Sequence, residues 1–199
     1  MRILGLLGGV ASGKSAVAEL FRGLGAEVLD ADRVGHEVLR LPEVREAVRA
    51  HFGPQVIDKD GQVDRRLLGR VVFGPPPDGA RELAVLEGIT HPQIRRRLRD
   101  EVDRMAADGA KLAVLDAPVL LKAGWDAVCD GLALVDCPEN LRLQRAMARG
   151  WTAAEFAARE AAQEPIEEKR RRADFVVDNS AAMEYTQAQV ERIWGELVG

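Results

Sequence analysis

Gly8-Gly9-Val10-Ala11-Ser12-Gly13-Lys14-Ser15 fits the phosphate-loop pattern G-x-x-x-x-G-K-[ST] without a mismatch, and no other stretch limits the fold so strongly. An apolar run, Ile3 to Leu7, leads into it, and a helical pattern through Val17, Leu20, Phe21 and Leu24 leaves it. Strand, glycine loop and helix in that order is the setting in which the pattern carries meaning. Glycines let backbone N–H groups turn inward around a polyphosphate, and the positive end of the following helix favours that anion. The stretch Gly8 to Ser15, continued into the helix by Ala16, is therefore the expected nucleotide-binding segment. Lys14 can reach the β- and γ-phosphates, and Ser15 can place its hydroxyl on Mg²⁺. The competing reading is a glycine turn that only joins strand to helix. The lysine, the serine and both flanks argue against it.

The rest of the chain alternates as a parallel sheet requires. Gly25 ends the first helix, and Glu27-Val28-Leu29 reads as a short second strand ending in Asp30-Ala31-Asp32. A helical pattern resumes at Val34, breaks at Pro42, and restarts through Val44, Ala47, Val48 and Phe52. Asp58-Lys59-Asp60-Gly61 is a polar turn. Leu67 to Phe73 suggests another helix, closed by the Pro/Gly stretch 74–79, the best candidate for a mobile loop. A long helix is expected to start at Pro92, with Ile94, Leu98, Val102 and Met105 on its buried face. Leu112-Ala113-Val114-Leu115-Asp116 and Leu132-Ala133-Leu134-Val135-Asp136 are apolar runs ending in a carboxylate, the shape of buried parallel strands. A helix through Leu141, Arg145 and Arg149 follows, then a capping-box start at Thr152 to Glu155. Phe175-Val176-Val177 reads as the last strand, before a C-terminal helix on Val190, Ile193, Trp194 and Leu197. The fold class is α/β with a parallel sheet, and residues 34–108 are mostly helical and inserted between strands.

Composition narrows the function classes. A chain of 199 residues suits one α/β domain with helical insertions. A formal net charge of −4 argues against general nucleic-acid binding. Two cysteines, Cys129 and Cys137, are too few for a disulfide framework and point to reduced thiols in a cytoplasmic compartment. No signal-peptide pattern precedes the first strand, and no apolar stretch approaches the ~20 residues of a membrane span. A soluble protein is expected.

The ordered set of motifs resembles the dephospho-coenzyme A kinases. It is carried by Leu6 to Ser15, Leu29-Asp30-Ala31-Asp32, His91-Pro92, Ala117-Pro118-Val119-Leu120-Leu121, Arg145 and Arg149, Gln163, and Ala173 to Asn179. The resemblance implies a three-layer P-loop NTPase fold with a helical acceptor-binding insertion and a short helical lid. The core would be 1–33, 109–144 and 173–199, the acceptor-binding region 34–108 and the lid 145–172. It implies transfer of the γ-phosphate of ATP, with Mg²⁺, to the ribose 3′-hydroxyl of dephospho-coenzyme A. A monomer or weak homo-oligomer would do this without nucleic acid or membrane.

The same resemblance implies residue roles. Asp32 matches the general base for the acceptor hydroxyl, and His91 the orientation of the acceptor side. On the residues alone, Asp30 and Asp32 could equally be N-caps of the helix at Val34. The end of a strand neighbouring the P-loop strand would place Asp32 in the crevice where open α/β sheets hold ligands. Arg145 and Arg149, four apart on one helix face, match arginines reaching the phosphates from the lid side, Arg145 also serving the acceptor. Asn179 matches a position near the adenine of ATP. Asp116, ending a strand beside the P-loop strand, would hold Mg²⁺ with Ser15. Arg159 and the run Lys169 to Arg172 read as surface coating, with at most one of them touching ligand. Leu7, Lys122, Arg142 and Gly150 depart from the family pattern, where threonine, glutamate, glutamine and aspartate are usual. The alternatives are another P-loop small-molecule kinase with a different acceptor, or a nucleotide-binding regulatory protein with weak or lost transfer.

Overall fold

The structure is a computed structural model that describes residues 1–74 and 77–199. Pro75 and Pro76, in the middle of the expected mobile stretch, lie outside the described residues. The chain divides into two compact units, one of Met1–Asp30 with Glu101–Gly199, the other Ala31–Asp100.

The first unit holds a five-stranded sheet. Its strands are β1 (Arg2–Gly8), β2 (Glu27–Asp30), β3 (Leu112–Asp116), β4 (Gly131–Asp136) and β5 (Phe175–Asp178). Every pairing is parallel and the spatial order is β2-β3-β1-β4-β5. Parallel strands have both faces covered, so their sequences are apolar without alternation. The residues of β1 from Leu4 to Leu7 apart from Gly5, and Leu112 to Leu115 of β3, are accordingly buried hydrophobics. One face packs against α1 (Lys14–Gly23) and α9 (Met183–Val198). Leu4, Leu6, Leu112, Val114, Ala133, Val135 and Val177 meet Val17, Phe21, Val190 and Ile193 there. The period of two along each strand selects these residues, and the helical period of 3.6 brings Val17 and Phe21 to one side.

Strand order is the point on which the sequence reading needs correction. β2 does not neighbour the P-loop strand; β3 lies between them, with Asp30 opposite Asp116 and Asp116 opposite Leu6. Hydrophobic runs mark strands but carry nothing about their lateral order. Asp116 does end a strand beside the P-loop strand, since β3 neighbours β1. Strand order reverses direction across β1, and ligands of open α/β sheets bind beyond the carboxyl ends of strands at such a point.

The second unit is helical, with α2 (Ala31–Val38), α3 (Pro42–Phe52), α4 (Arg65–Val72) and most of α5 (Asp78–Ala107). Val34, Val38, Val44, Val48, Phe52, Leu68, Val72, Ile94 and Leu98 are buried, as the periodic pattern requires. The Asp58 carboxylate accepts from the N–H groups of Asp60 and Gln62, which fixes the expected polar turn. Asp64 caps α4 by accepting from Arg66 N and Leu67 N. The long helix does not start at Pro92 but runs through it, beginning at Asp78. An interior proline removes one hydrogen bond and crowds the carbonyl four residues earlier. That residue is Gly88, whose Cβ position has open space around it, and Thr90 Oγ1 donates to the Leu86 carbonyl at 2.9 Å in the turn before. The Thr90 bond goes to the carbonyl of Leu86 and does not replace the one that the ring removes at Gly88.

The packing yields a stability prediction. Phe21 is fully buried between α1 and the sheet. Phe21→Ala should lower unfolding free energy by about 3–5 kcal/mol, measured by denaturant unfolding; a loss of under about 1 kcal/mol would mean this cluster is not the core of the first unit.

Candidate active site

The loop between β1 and α1 is where the chain departs most from ordinary backbone. Gly13, the N-cap of α1, has φ 99, and a Cβ there would collide with the Asn179 amide. Only glycine takes this conformation without steric cost. Ala11 has φ 57, the one left-handed non-glycine among the described residues. Strained positions of this kind persist only where neighbours hold them, and they gather at ligand sites.

The holding groups can be named. Ser12 C=O accepts from Asn179 Nδ2 at 2.8 Å and from Arg145 Nη1 at 3.2 Å. Arg145, on α6 (Glu139–Ala148), also donates to the Asn179 carbonyl at 2.9 Å and to Cys137 Sγ at 3.4 Å. Asn179 is buried, and its Oδ1 accepts from Thr186 of α9 at 3.1 Å. The first intrahelical bond of α1 runs from Val17 N to Gly13 O at 3.1 Å. Ser15 and Ala16 therefore open the helix with N–H groups that have no intrahelical acceptor, the usual anion-binding arrangement. Ser12 Oγ is buried without a hydrogen-bond partner among the described residues, an orphan that a phosphate oxygen would satisfy.

Ser15 Oγ lies 3.4 Å from Asp116 Oδ2. A hydroxyl and one carboxylate, both hard oxygen donors, fit Mg²⁺, which is held by few protein groups and keeps much of its water. No cluster of three or more His, Cys, Asp or Glu ligands exists among the described residues, so a metal caged wholly by protein is not offered.

The structure thus brings together Gly8 to Ala16, Asp116, Arg145 and Asn179 in the first unit. Asp32 and His91 belong to the second unit. Asp32 sits in the first turn of α2, two residues after the last residue of β2, and so is not the N-cap of a helix at Val34. His91 is partly exposed in the middle of α5. Arg149, the C-cap of α6, is exposed, unlike Arg145 one turn earlier.

Two cations are buried beside the loop, Arg142, a departure from the family pattern, and Lys169, expected on the surface. Arg142, 4% exposed, donates to Cys137 O at 3.1 Å and Val10 O at 3.3 Å and pairs with Glu160 on α7 (Ala153–Ala161). Its guanidinium lies 5.6 Å from the Phe156 ring centroid and fills the space where a Gly9 side chain would stand. The departure from glutamine thus ties the loop to α7. Lys169, on α8 (Ile166–Arg172), is not surface coating but 2% exposed, donating to Gly8 O at 3.0 Å and Gln163 Oε1 at 2.7 Å. Charge runs are ordinarily solvated faces, and only the appearance of Gln163 among the motif residues hinted otherwise. Arg170, Arg171 and Arg172 are exposed as expected, Arg170 pairing with Asp136 at 2.8 Å. Arg159 lies on the Trp151 ring, 4.2 Å from its centroid. Of the other departures, Leu7 is buried, Lys122 is exposed, and Gly150 closes α6 with φ 85. The thiols are free; burial pushes Cys129 up to about 12 and also raises Cys137, so neither is a reactive thiolate.

A family model for dephospho-CoA kinase matches residues 2–184. The chain belongs to the dephospho-CoA kinase family. A dephospho-CoA kinase of Anaeromyxobacter dehalogenans is 43% identical over 202 aligned positions, covering 100% of this chain and 93% of that protein. One of Symbiobacterium thermophilum is 42% identical, covering 100% and 82%. The crystal structure of TT1252 from Thermus thermophilus superposes with a TM-score of 0.85 at 37% identity, covering 100% of this chain and 98% of that one. No helix among the described residues is long and apolar enough to cross a membrane.

The Arg142–Glu160 pair gives this site a measurable consequence. Arg142→Ala leaves a largely buried carboxylate and two carbonyls without their donor. Breaking a buried pair of this kind costs about 3 kcal/mol, which lowers Tm by roughly 6–12 °C in a chain of this size. A thermal scan showing under 2 °C of change, on the order of an ordinary surface substitution, would contradict the tie.

Proposed function

We propose that the P-loop site described above carries out the family's reaction, ATP-dependent phosphorylation of dephospho-coenzyme A to coenzyme A, with the following division of labour. The loop Gly8–Ser15 and Ala16 bind the polyphosphate, and Lys14 neutralises charge on the β- and γ-phosphates. Ser15 and Asp116 would hold Mg²⁺, which when bound would offset the phosphate charge that develops in transfer. Arg145 stabilises charge on the transferring phosphoryl group. Arg149, exposed at the end of α6, approaches the phosphates from the lid, residues 145–172. Asn179 fixes the loop carbonyl on the side from which the adenine is read. The Ala31–Asp100 unit carries the acceptor, with His91 orienting it and Asp32 accepting the proton of the 3′-hydroxyl as its oxygen attacks the γ-phosphorus. The bond to the β–γ bridging oxygen breaks as the new P–O bond forms, leaving ADP. This takes place in the cytoplasm.

The observation that carries the reading is the Ser15 Oγ to Asp116 Oδ2 approach of 3.4 Å at the mouth of a fully formed P-loop. A turn that only connected strand to helix would have no reason to aim a hydroxyl at a strand-end carboxylate. The test is phosphoryl transfer from ATP to dephospho-coenzyme A, run beside adenosine, AMP and shikimate. Transfer to dephospho-coenzyme A above the other three is expected. Preference for another acceptor would overturn the acceptor assignment, and no transfer at all would favour a nucleotide-binding regulator.

Two substitutions separate roles. Lys14→Ala should nearly abolish turnover with the fold intact by circular dichroism; normal turnover would sink the phosphoryl-transfer reading. Asp32→Asn should reduce turnover by a factor on the order of 10² or more with similar ATP affinity. Unchanged turnover would leave Asp32 outside the chemistry.

A further inference from the structure

Lys169 is a buried ammonium whose two hydrogen-bond acceptors are neutral, the Gly8 carbonyl and the Gln163 amide oxygen. An ammonium has three donors, so one N–H is left over among the described residues. Burying a cation without a hydrogen-bonded carboxylate is expensive, and a protein keeps such a group where a counter-charge arrives with a ligand. The groups that face it are known by element. Lys14 of α1 and Arg142 of α6 repel it, while Glu160 of α7 and Glu164, between α7 and α8, attract it. Gly8 is the last residue of β1 and opens the loop motif, and Lys14 of that motif is near enough to repel the ammonium, so Lys169 stands beside the loop's own phosphate-binding lysine.

We propose that Lys169 is a second phosphate-binding cation, supplied by α8, and that polyphosphate binding is coupled to its protonation. The proposal rests on the nucleotide-binding reading of the loop and extends it to a residue outside the loop. In the nucleotide-free protein burial, followed by the Lys14 charge, pulls the Lys169 ammonium down to about 8. A polyphosphate beside both lysines favours the charged form and raises that value. The sign follows from linkage: affinity is greatest below about 8, falls as pH rises through the free-state value, and levels off above the bound-state value. Binding between those limits takes up a proton from buffer. Lys14→Ala would remove the loop's own lysine; Lys169 is separable because it reaches the loop through α8.

The test is calorimetric titration of ADP into the full chain at pH 8.5 in Tris and in EPPS buffers, whose ionisation enthalpies differ. Wild type should show net proton uptake that disappears in Lys169→Met and in Lys169→Arg, the second being permanently charged. ADP affinity should fall by roughly tenfold or more in Lys169→Met and stay within a few fold in Lys169→Arg. Thermal melts of each variant without nucleotide accompany the titration, so that a misfolded Met variant leaves the Arg variant and wild type to decide. Equal proton uptake in wild type and Lys169→Arg, or no uptake in wild type that binds ADP, overturns the proposal. Failure of wild type to bind ADP at any pH is a different result, which overturns the nucleotide reading and this proposal with it.

Discussion

The carbonyl of Ser12 is the point on which the site depends. A phosphate loop must aim N–H groups inward, so its carbonyls have to point outward and still find donors in a buried place. Here two side chains from separate elements provide them, Asn179 from the end of β5 and Arg145 from α6. Each donor is itself held. Asn179 accepts from Thr186 of α9, and Arg145 donates to the Asn179 carbonyl. The left-handed residues Ala11 and Gly13 flank the same carbonyl. A strained loop kept in one shape before ligand arrives loses little ordering entropy on binding, which is how preorganisation turns contacts into affinity.

The parallel sheet makes this convergence possible. Asp30 and Asp116 share one register position, and Asp136 and Asp178 share another, so four strands end in carboxylates along one edge. Three of them have contacts that differ. Asp116 faces Ser15, Asp136 pairs with Arg170 of α8, and Asp178 accepts from Ser180 N in a turn after β5. Glu160 and Lys169 add contacts from α7 and α8 to Arg142 and to the loop strand. The buried members of this set matter most, since exposed pairs such as Arg171–Glu168 contribute little in water.

Much of this was legible in the sequence, for reasons that differ by feature. The strands read as apolar runs because both sheet faces are covered, and the loop read from glycine spacing because only glycine fits Gly13. The Thr152–Glu155 capping box was visible because both partners lie within one turn, and both of its bonds form. What stayed hidden was non-local. Nothing in the runs at Glu27–Asp30 and Leu112–Asp116 says which lies beside β1. A proline at Pro92 signals a helix start by local rule, yet α5 runs through it, with open space around Gly88, the residue whose carbonyl the ring crowds. Lys169 looked like its three arginine neighbours because charge on its own does not reveal which member of a run turns inward.

The claim that the loop is held in shape by its outward carbonyl is tested most directly at Asn179. Asn179→Ala removes the 2.8 Å donor to Ser12 C=O while leaving Lys14, Ser15 and Asp116 in place. The measurement is the ATP dissociation constant of wild type and variant, by titration calorimetry with Mg²⁺ present. The account predicts weaker binding by roughly tenfold or more, as expected for loss of a buried donor, with a folded protein by circular dichroism. An unchanged dissociation constant in a folded Asn179→Ala variant would contradict it.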